Sequence, residues 1–162
     1  YTQTWKALEK IRESGRCRSI GVSNFEETHL QILFEMSGVV PAVNQIECHP
    51  LWNRKKLVAY CQQHGIVVQA YAPLARGLYL EREIITQLAE KYGRKPAQIG
   101  LRYLVQRGIC VIPKSTNPKR IAENAAIFDF QLSDLDMELI NSMDEHFRSA
   151  SIPDDMIGQG VS

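Results

Sequence analysis

Apolar positions along the chain fall into two alternating kinds of segment with different periods. Trp5, Leu8 and Ile11 recur at helical spacing, which predicts a helix running to about Ser14 and stopped by Gly15. "RSIGVSN" (18–24) reads as a short buried strand, and "EETHLQILFEMSG" as a helix with Leu30, Leu33 and Phe34 on one face. A second strand is expected over 41–47, a helix over 54–65 and a third strand over 66–72. Helices follow at about 81–92 and 96–107, the latter opened by Pro96 where a missing amide costs nothing. "ICVIPK" (109–114) is the fourth strand. A helix begins at "NPKR", and another runs from about Ser133 to Phe147 behind a Ser-x-x-Asp start. The residues beyond it carry Pro153, Gly158 and Gly160 without periodicity and read as a tail.

Strand and helix thus alternate four times, with connections long enough for crossovers. That pattern implies parallel strands in βαβ units, in either an open doubly wound sheet or part of an eight-stranded barrel. Both architectures place ligands at the carboxyl ends of the strands. Polar residues gather at those ends: Ser23 and Asn24, Gln45 and Glu47, Tyr71, and Lys114 to Thr116. No G-x-G-x-x-G follows the first strand, which favours the barrel. Val22, Val43, Gln45, Val68 and Val111, or their neighbours one residue off, are expected on its inward face.

Length and charge narrow the classes. The 162 residues suffice for one domain with a core, and the net charge of +1 offers no general field for nucleic acid. No window approaches the roughly 18 apolar residues of a membrane helix. Cys17, Cys48, Cys61 and Cys110 are scattered without a C-x-x-C pair, as are His29, His49, His64 and His146. Reduced thiols in a reducing, cytoplasmic compartment and no metal site are expected. The chain opens on Tyr1 inside an amphipathic helix, which reads as part of something longer.

The stretch "VIPKSTNPKRIAEN" (111–124) gathers Lys114, Ser115, Thr116 and Arg120 between a strand end and a helix start, a suitable setting for an anion. A solvated turn, with Asn117 as cap and Pro118 as first helical residue, would satisfy the same pattern. "SNFE" is likewise a Ser-x-x-Glu capping box on Ser23, and Tyr71 could be a buried core ring.

"SIGVSNF", "VNQIECHP", "AYAPLARG" and "VIPKSTNPKRIAEN", in that order at strand ends and followed by "FDFQLSDLDMELI", resemble the NADPH-dependent aldo-keto reductases. The smaller members are most similar, among them protozoal prostaglandin F synthases and 2,5-diketo-gluconate reductases. The resemblance implies an α/β fold, a (β/α)8 barrel of which this chain supplies strands 5–8 and the carboxyl-terminal helices. Residues 1–148 would be that second half, and 149–162 a tail contributing to the substrate pocket. The cofactor implied is NADPH. Ser23, Asn24 and Gln45 would hold its carboxamide and Tyr71 would stack on the nicotinamide ring. Ala72 stands where a Ser or Thr is usual, so one pyrophosphate contact would come from backbone or be missing. Leu74 and "ARGLYL" would fold over the pyrophosphate, with Arg76 as an extra ligand. Lys114, Ser115, Thr116 and Arg120 would clamp the 2′-phosphate, and Glu123 and Asn124 would meet the adenine edge.

The resemblance carries no catalytic residue onto this chain. The family's tyrosine acid, with its lysine, aspartate and histidine neighbours, has no counterpart here. Tyr1, Tyr60, Tyr79, Tyr92 and Tyr103 do not fall at strand ends, and His49 lies in a structural "CHP" motif. The expected activity is therefore carbonyl reduction by the complete protein on a small-molecule substrate, with this segment inactive alone. The intact protein would be a monomer, and the segment could self-associate. The alternatives are a non-catalytic NADPH-binding barrel serving as a partner subunit, or an inactive half-barrel.

Overall fold

A computed structural model describes residues 1–150. Contacts divide the chain into two units: Tyr1–Ile46 with Lys55–Gln69, and Glu47–Arg54 with residues 70–150. The elements run α1 (Thr2–Glu13), β1 (Val22–Ser23), α2 (Glu27–Met36), β2 (Val43–Glu47), α3 (Lys55–Gln63) and β3 (Val67–Tyr71). Then come a 3-10 turn (Ala75–Gly77), α4 (Glu83–Tyr92), α5 (Pro96–Gln106), β4 (Cys110–Val111), α6 (Pro118–Ala125) and α7 (Asp134–Asn141). The strands form one sheet in the order β1-β2-β3-β4. The expected α/β alternation is therefore present, with β1 and β4 reduced to two residues each.

In the first unit, β1 pairs parallel to β2, Val22 opposite Asn44 and Ser23 opposite Gln45. The approach is close at Gly21: a Cβ there would stand 2.4 Å from the Val43 side chain and 2.7 Å from its carbonyl. The amide of Val67 donates to the carbonyl of Ala42, bringing β3 beside β2. Trp5, Ile20 and Leu33 form a core on which Leu8, Val22, Phe25 and Met36 pack. Asn44, fully buried, braces the turn after β1: its Nδ2 donates to the Phe25 carbonyl at 2.8 Å and its Oδ1 accepts from the Phe25 amide.

Side-chain parity selects among the expected inward positions and their one-residue alternates. Val68 is buried, whereas Val67 is 53 % exposed, and Gln69 shares the face of Val67. Gln45 Nε2 donates to Gln69 Oε1, so the residues grouped with Gln45 are Val67 and Gln69, not Val68. At β3 the alternate one residue off is the one observed, and in a strand one residue is the opposite face.

The second unit packs α4 on α5 and α7, and α5 on α6 and β4. The amide of Ile112 donates to the carbonyl of Ala70, at the end of β3. Helix α7 starts as its Ser-x-x-Asp pattern predicts, Ser133 Oγ accepting from the Asp136 amide. It ends at Asn141, not Phe147. Beyond it the amides of Glu145 and Phe147 both donate to the Leu51 carbonyl, and Ser149 and Ala150 donate to Glu47 Oε1. Those partners draw the backbone out of the helix. The tail expected over 149–162 lies, from residue 151 on, outside the described residues.

Candidate functional site

In the first unit, the ends of β1 and β2 bring Ser23, Asn24 and Gln45 together. Ser23 Oγ donates to the Gln45 carbonyl at 2.9 Å, and the Asn24 amide donates to the same oxygen. Asn24 has φ 57, a left-handed value for which asparagine is among the more tolerant residues. Ser23 is therefore not the helix cap that "SNFE" suggests. The cap of α2 is Glu26, whose amide donates to the His29 ring at 2.9 Å. Freed from capping, Ser23 ties β1 to β2 and sits exposed at the strand end.

In the second unit, a cavity of about 580 Å³ is walled by the segment after β3, the start of α5, the segment after β4, and α6. Of the residues expected there, Leu74, Arg76, Lys114, Ser115, Arg120, Glu123 and Asn124 line it. Tyr71, Ala72 and Thr116 do not. Asn117 caps α6 through Oδ1, accepting from the amides of Lys119 and Arg120, and thereby fixes the turn that carries Lys114 and Arg120 into one wall. Ser115 Oγ accepts from the Asn117 amide at 3.1 Å, so the hydroxyl is already part of that turn. The capped turn and the cation cluster are the same structure, not alternatives.

The segment over the cavity is locally strained. Ala72, Ala75 and Arg76 have φ of 46, 45 and 54. Left-handed conformations at non-glycine residues cost on the order of 1–3 kcal/mol each and persist only where the surroundings impose them. Here Tyr79 holds Pro73, inside the same segment. It is fully buried, its hydroxyl donates to the Pro73 carbonyl at 3.0 Å, and its ring lies against Gly100 of α5. Burial also pushes the Tyr79 hydroxyl far above the usual tyrosine range, so it stays a neutral donor.

Leu80, at the end of "ARGLYL", lines the cavity as well, and so do Lys95, Pro96, Ala97, Gln98 and Glu81, to which the sequence reading gave no ligand role. Gln98 is the brace: Oε1 accepts from the Lys95 amide at 2.9 Å, while Nε2 donates to the carbonyls of Glu123 and Ala126. One amide therefore holds the start of α5 against the end of α6. A glutamine two residues after a helix-opening proline was the available signal; its partners 25 and 28 residues away were not readable.

Arg76, Lys95, Lys114 and Arg120 face the cavity with Glu81 and Glu123. Among the described residues, none of the four cations has an ion pair. Four cations against two carboxylates leave a surplus of two positive charges. Such a wall suits a phosphate dianion, which gains charge-assisted hydrogen bonds from each cation it meets.

Two buried carboxylates lie outside this cavity. Burial alone would raise the Asp136 carboxyl, but Lys91, Ser133 and Tyr92 all donate to it and hold it at about 2. Tyr92, Lys91 and Asp136 have the residue types of an acid group, yet none lines the cavity, and the Tyr92 hydroxyl is committed to Asp136 at 2.5 Å. Burial likewise opposes ionisation of Glu47, and the hydrogen bonds from His49 and Ser149 outweigh it, leaving its carboxyl at about 2.

Comparison with known proteins follows the same lines. The model of the aldo/keto reductase family matches residues 1–145. A glyoxal reductase of Bacillus subtilis is 44 % identical over 97 % of this chain and 57 % of its own length. A 9,11-endoperoxide prostaglandin H2 reductase of Trypanosoma cruzi is 41 % identical over 99 % of this chain and 58 % of its own. Among solved structures, a Gox0644 mutant in complex with NADPH superposes with a TM-score of 0.86 at 48 % identity, over 89 % of this chain and 53 % of that one. The family match begins at residue 1 and runs through residue 145, which overturns the expectation of a carboxyl-terminal half. The chain spans about half the length of the curated relatives it matches.

Proposed function

The chain belongs to the aldo/keto reductase family, and on that premise we propose that it holds NADPH for the reduction of an aldehyde or ketone to an alcohol by the whole protein. When bound, the cofactor supplies the hydride. The observation that carries this reading is the cavity of the second unit, where Lys114 and Arg120, without an ion pair among the described residues, stand beside Glu123 and Asn124. Lys114 and Arg120 bind the 2′-phosphate, and the α6 amino end adds positive potential to the same wall. Ser115 and Thr116 add hydroxyl donors, although Ser115 is shared with the turn and Thr116 lies off the lining. Glu123 and Asn124 meet the adenine edge. Leu74 and Arg76 cover the pyrophosphate, to which Ala72 contributes backbone only. Tyr71 stacks on the nicotinamide ring, and Ser23, Asn24 and Gln45 of the first unit take its carboxamide.

The test is a titration of the chain with NADPH and with NADH, repeated on Arg120→Ala. Losing one charge-assisted bond to the 2′-phosphate removes roughly 1.5–3 kcal/mol, about 10- to 150-fold in affinity. The loss is expected for NADPH alone. Equal weakening of both cofactors contradicts the assignment of Arg120.

A further inference from the structure

Lys95 occupies the cap position of α5, where helices favour Ser, Thr, Asp or Asn, and it makes no side-chain cap bond. An ammonium has no lone pair and cannot cap. Its charge also opposes the positive end of the helix dipole, an arrangement that costs a helix stability. The cap is supplied instead by Gln98, which accepts from the Lys95 amide. Among the described residues Lys95 has no ion pair. Its neighbour Arg94 differs. The Arg94 guanidinium is paired with Asp129 at 2.8 Å and lies 4.8 Å from the Phe130 ring centre. Of the two adjacent cations, one is committed to the fold and the other lines the same cavity as Lys114 and Arg120.

We propose that Lys95 is a specificity-determining residue, a further phosphate ligand that reaches across the cavity from α5 to the anion held by Lys114 and Arg120. The assignment rests on reading the cavity as the 2′-phosphate site and adds to it a ligand from a different element. Its physical basis is charge matching. With Arg76 given to the pyrophosphate, Lys114, Arg120 and Lys95 face Glu81 and Glu123, a surplus of one positive charge with Lys95 and none without it, and a phosphomonoester carries close to two negative charges at neutral pH. A bound dianion would also offset the unfavourable placement of Lys95 on the dipole, so this residue links ligand binding to the stability of α5. Because Lys95 is exposed, its contribution is screened by salt and smaller than that of a buried partner.

The experiment is calorimetric titration of the chain with adenosine 2′,5′-bisphosphate and with adenosine 5′-monophosphate, on the natural sequence, Lys95→Gln, Lys95→Arg and Arg120→Ala. Lys95→Gln is expected to weaken the bisphosphate roughly 3- to 10-fold, more at low salt than at high, and to leave the monophosphate unchanged. Lys95→Arg retains binding. Without ligand, Lys95→Gln melts no lower than the natural sequence, which separates the effect from unfolding. Unchanged bisphosphate binding in Lys95→Gln, with the loss in Arg120→Ala intact, overturns the role of Lys95 and leaves the cofactor reading standing. If the natural sequence does not prefer the bisphosphate to the monophosphate, the cofactor reading fails and the inference with it.

Discussion

Asp136 shows how a single carboxylate ties stability to pH. It is 3 % exposed, yet Lys91, Tyr92 and Ser133 keep it ionised down to about 2, against 3.8 for an ordinary aspartate. A depressed folded value means the unfolded chain takes up the proton first. The stabilisation is present above the ordinary value and is lost as pH falls through the window toward 2. Glu47 behaves in the same sense. Urea midpoints at pH 7, 4 and 3 should therefore fall more steeply for the natural sequence than for Asp136→Asn, which begins less stable but loses less on acidification. Parallel acid profiles for the two would contradict the Asp136 account. Residue-scale roles were legible where local chemistry sets them. Asn117 as the α6 cap and Ser133 with Asp136 at the α7 start followed from four-residue patterns. Lys91 and Tyr92 as partners of Asp136, 45 and 44 positions away, could not be read, because tertiary packing alone brings them there.

At the scale of elements, the apolar runs located each α-helix and strand of the described residues, and the errors lie at ends and faces. β1 and β4 are shorter than their runs, with two paired residues each. "SNFE" misplaced a cap because Ser23 had a stronger partner across the sheet, the Gln45 carbonyl. The walls of the cavity depend on one helix contact, Gly100 of α5 against Tyr79. A Cβ at residue 100 would stand 2.1 Å from the Tyr79 hydroxyl and 2.7 Å from its ring. Alanine in a helix interior normally gains about 1 kcal/mol over glycine. Here it must displace a buried ring, at roughly 1–3 kcal/mol, and cost the Pro73 carbonyl its donor, about 1–3 kcal/mol more. Gly100→Ala should thus lower the melting temperature by several degrees, at about 2–4 °C per kcal/mol for a chain of this size. A rise in melting temperature would show that Tyr79 does not hold the segment after β3 against α5.

For the whole molecule, the family and its α/β alternation were readable because four motifs recur at strand ends in a fixed order. The cavity was readable only on the strand-and-turn side. The α5 wall, with Lys95 and Gln98, comes from a turn whose sequence carries no ligand signal. Hydride transfer to a carbonyl also needs a proton donor. Burial pushes the hydroxyls of Tyr79 and Tyr103 upward, away from proton donation near neutral pH, and Tyr92 is locked by Asp136. We therefore expect the 162-residue chain to bind nucleotide without oxidising NADPH in the presence of a nitrobenzaldehyde. Turnover in the ordinary enzyme range, about 1–1,000 per second, would contradict that expectation.

The central claim is that Lys114 and Arg120 grip the phosphate that distinguishes NADPH from NADH. A crystal structure of the chain grown with NADPH tests it most directly. The account predicts the 2′-phosphate inside the cavity of the second unit, within about 3 Å of the Lys114 ammonium and the Arg120 guanidinium. NADPH bound with that phosphate in solvent, or bound away from residues 114–124, would contradict it.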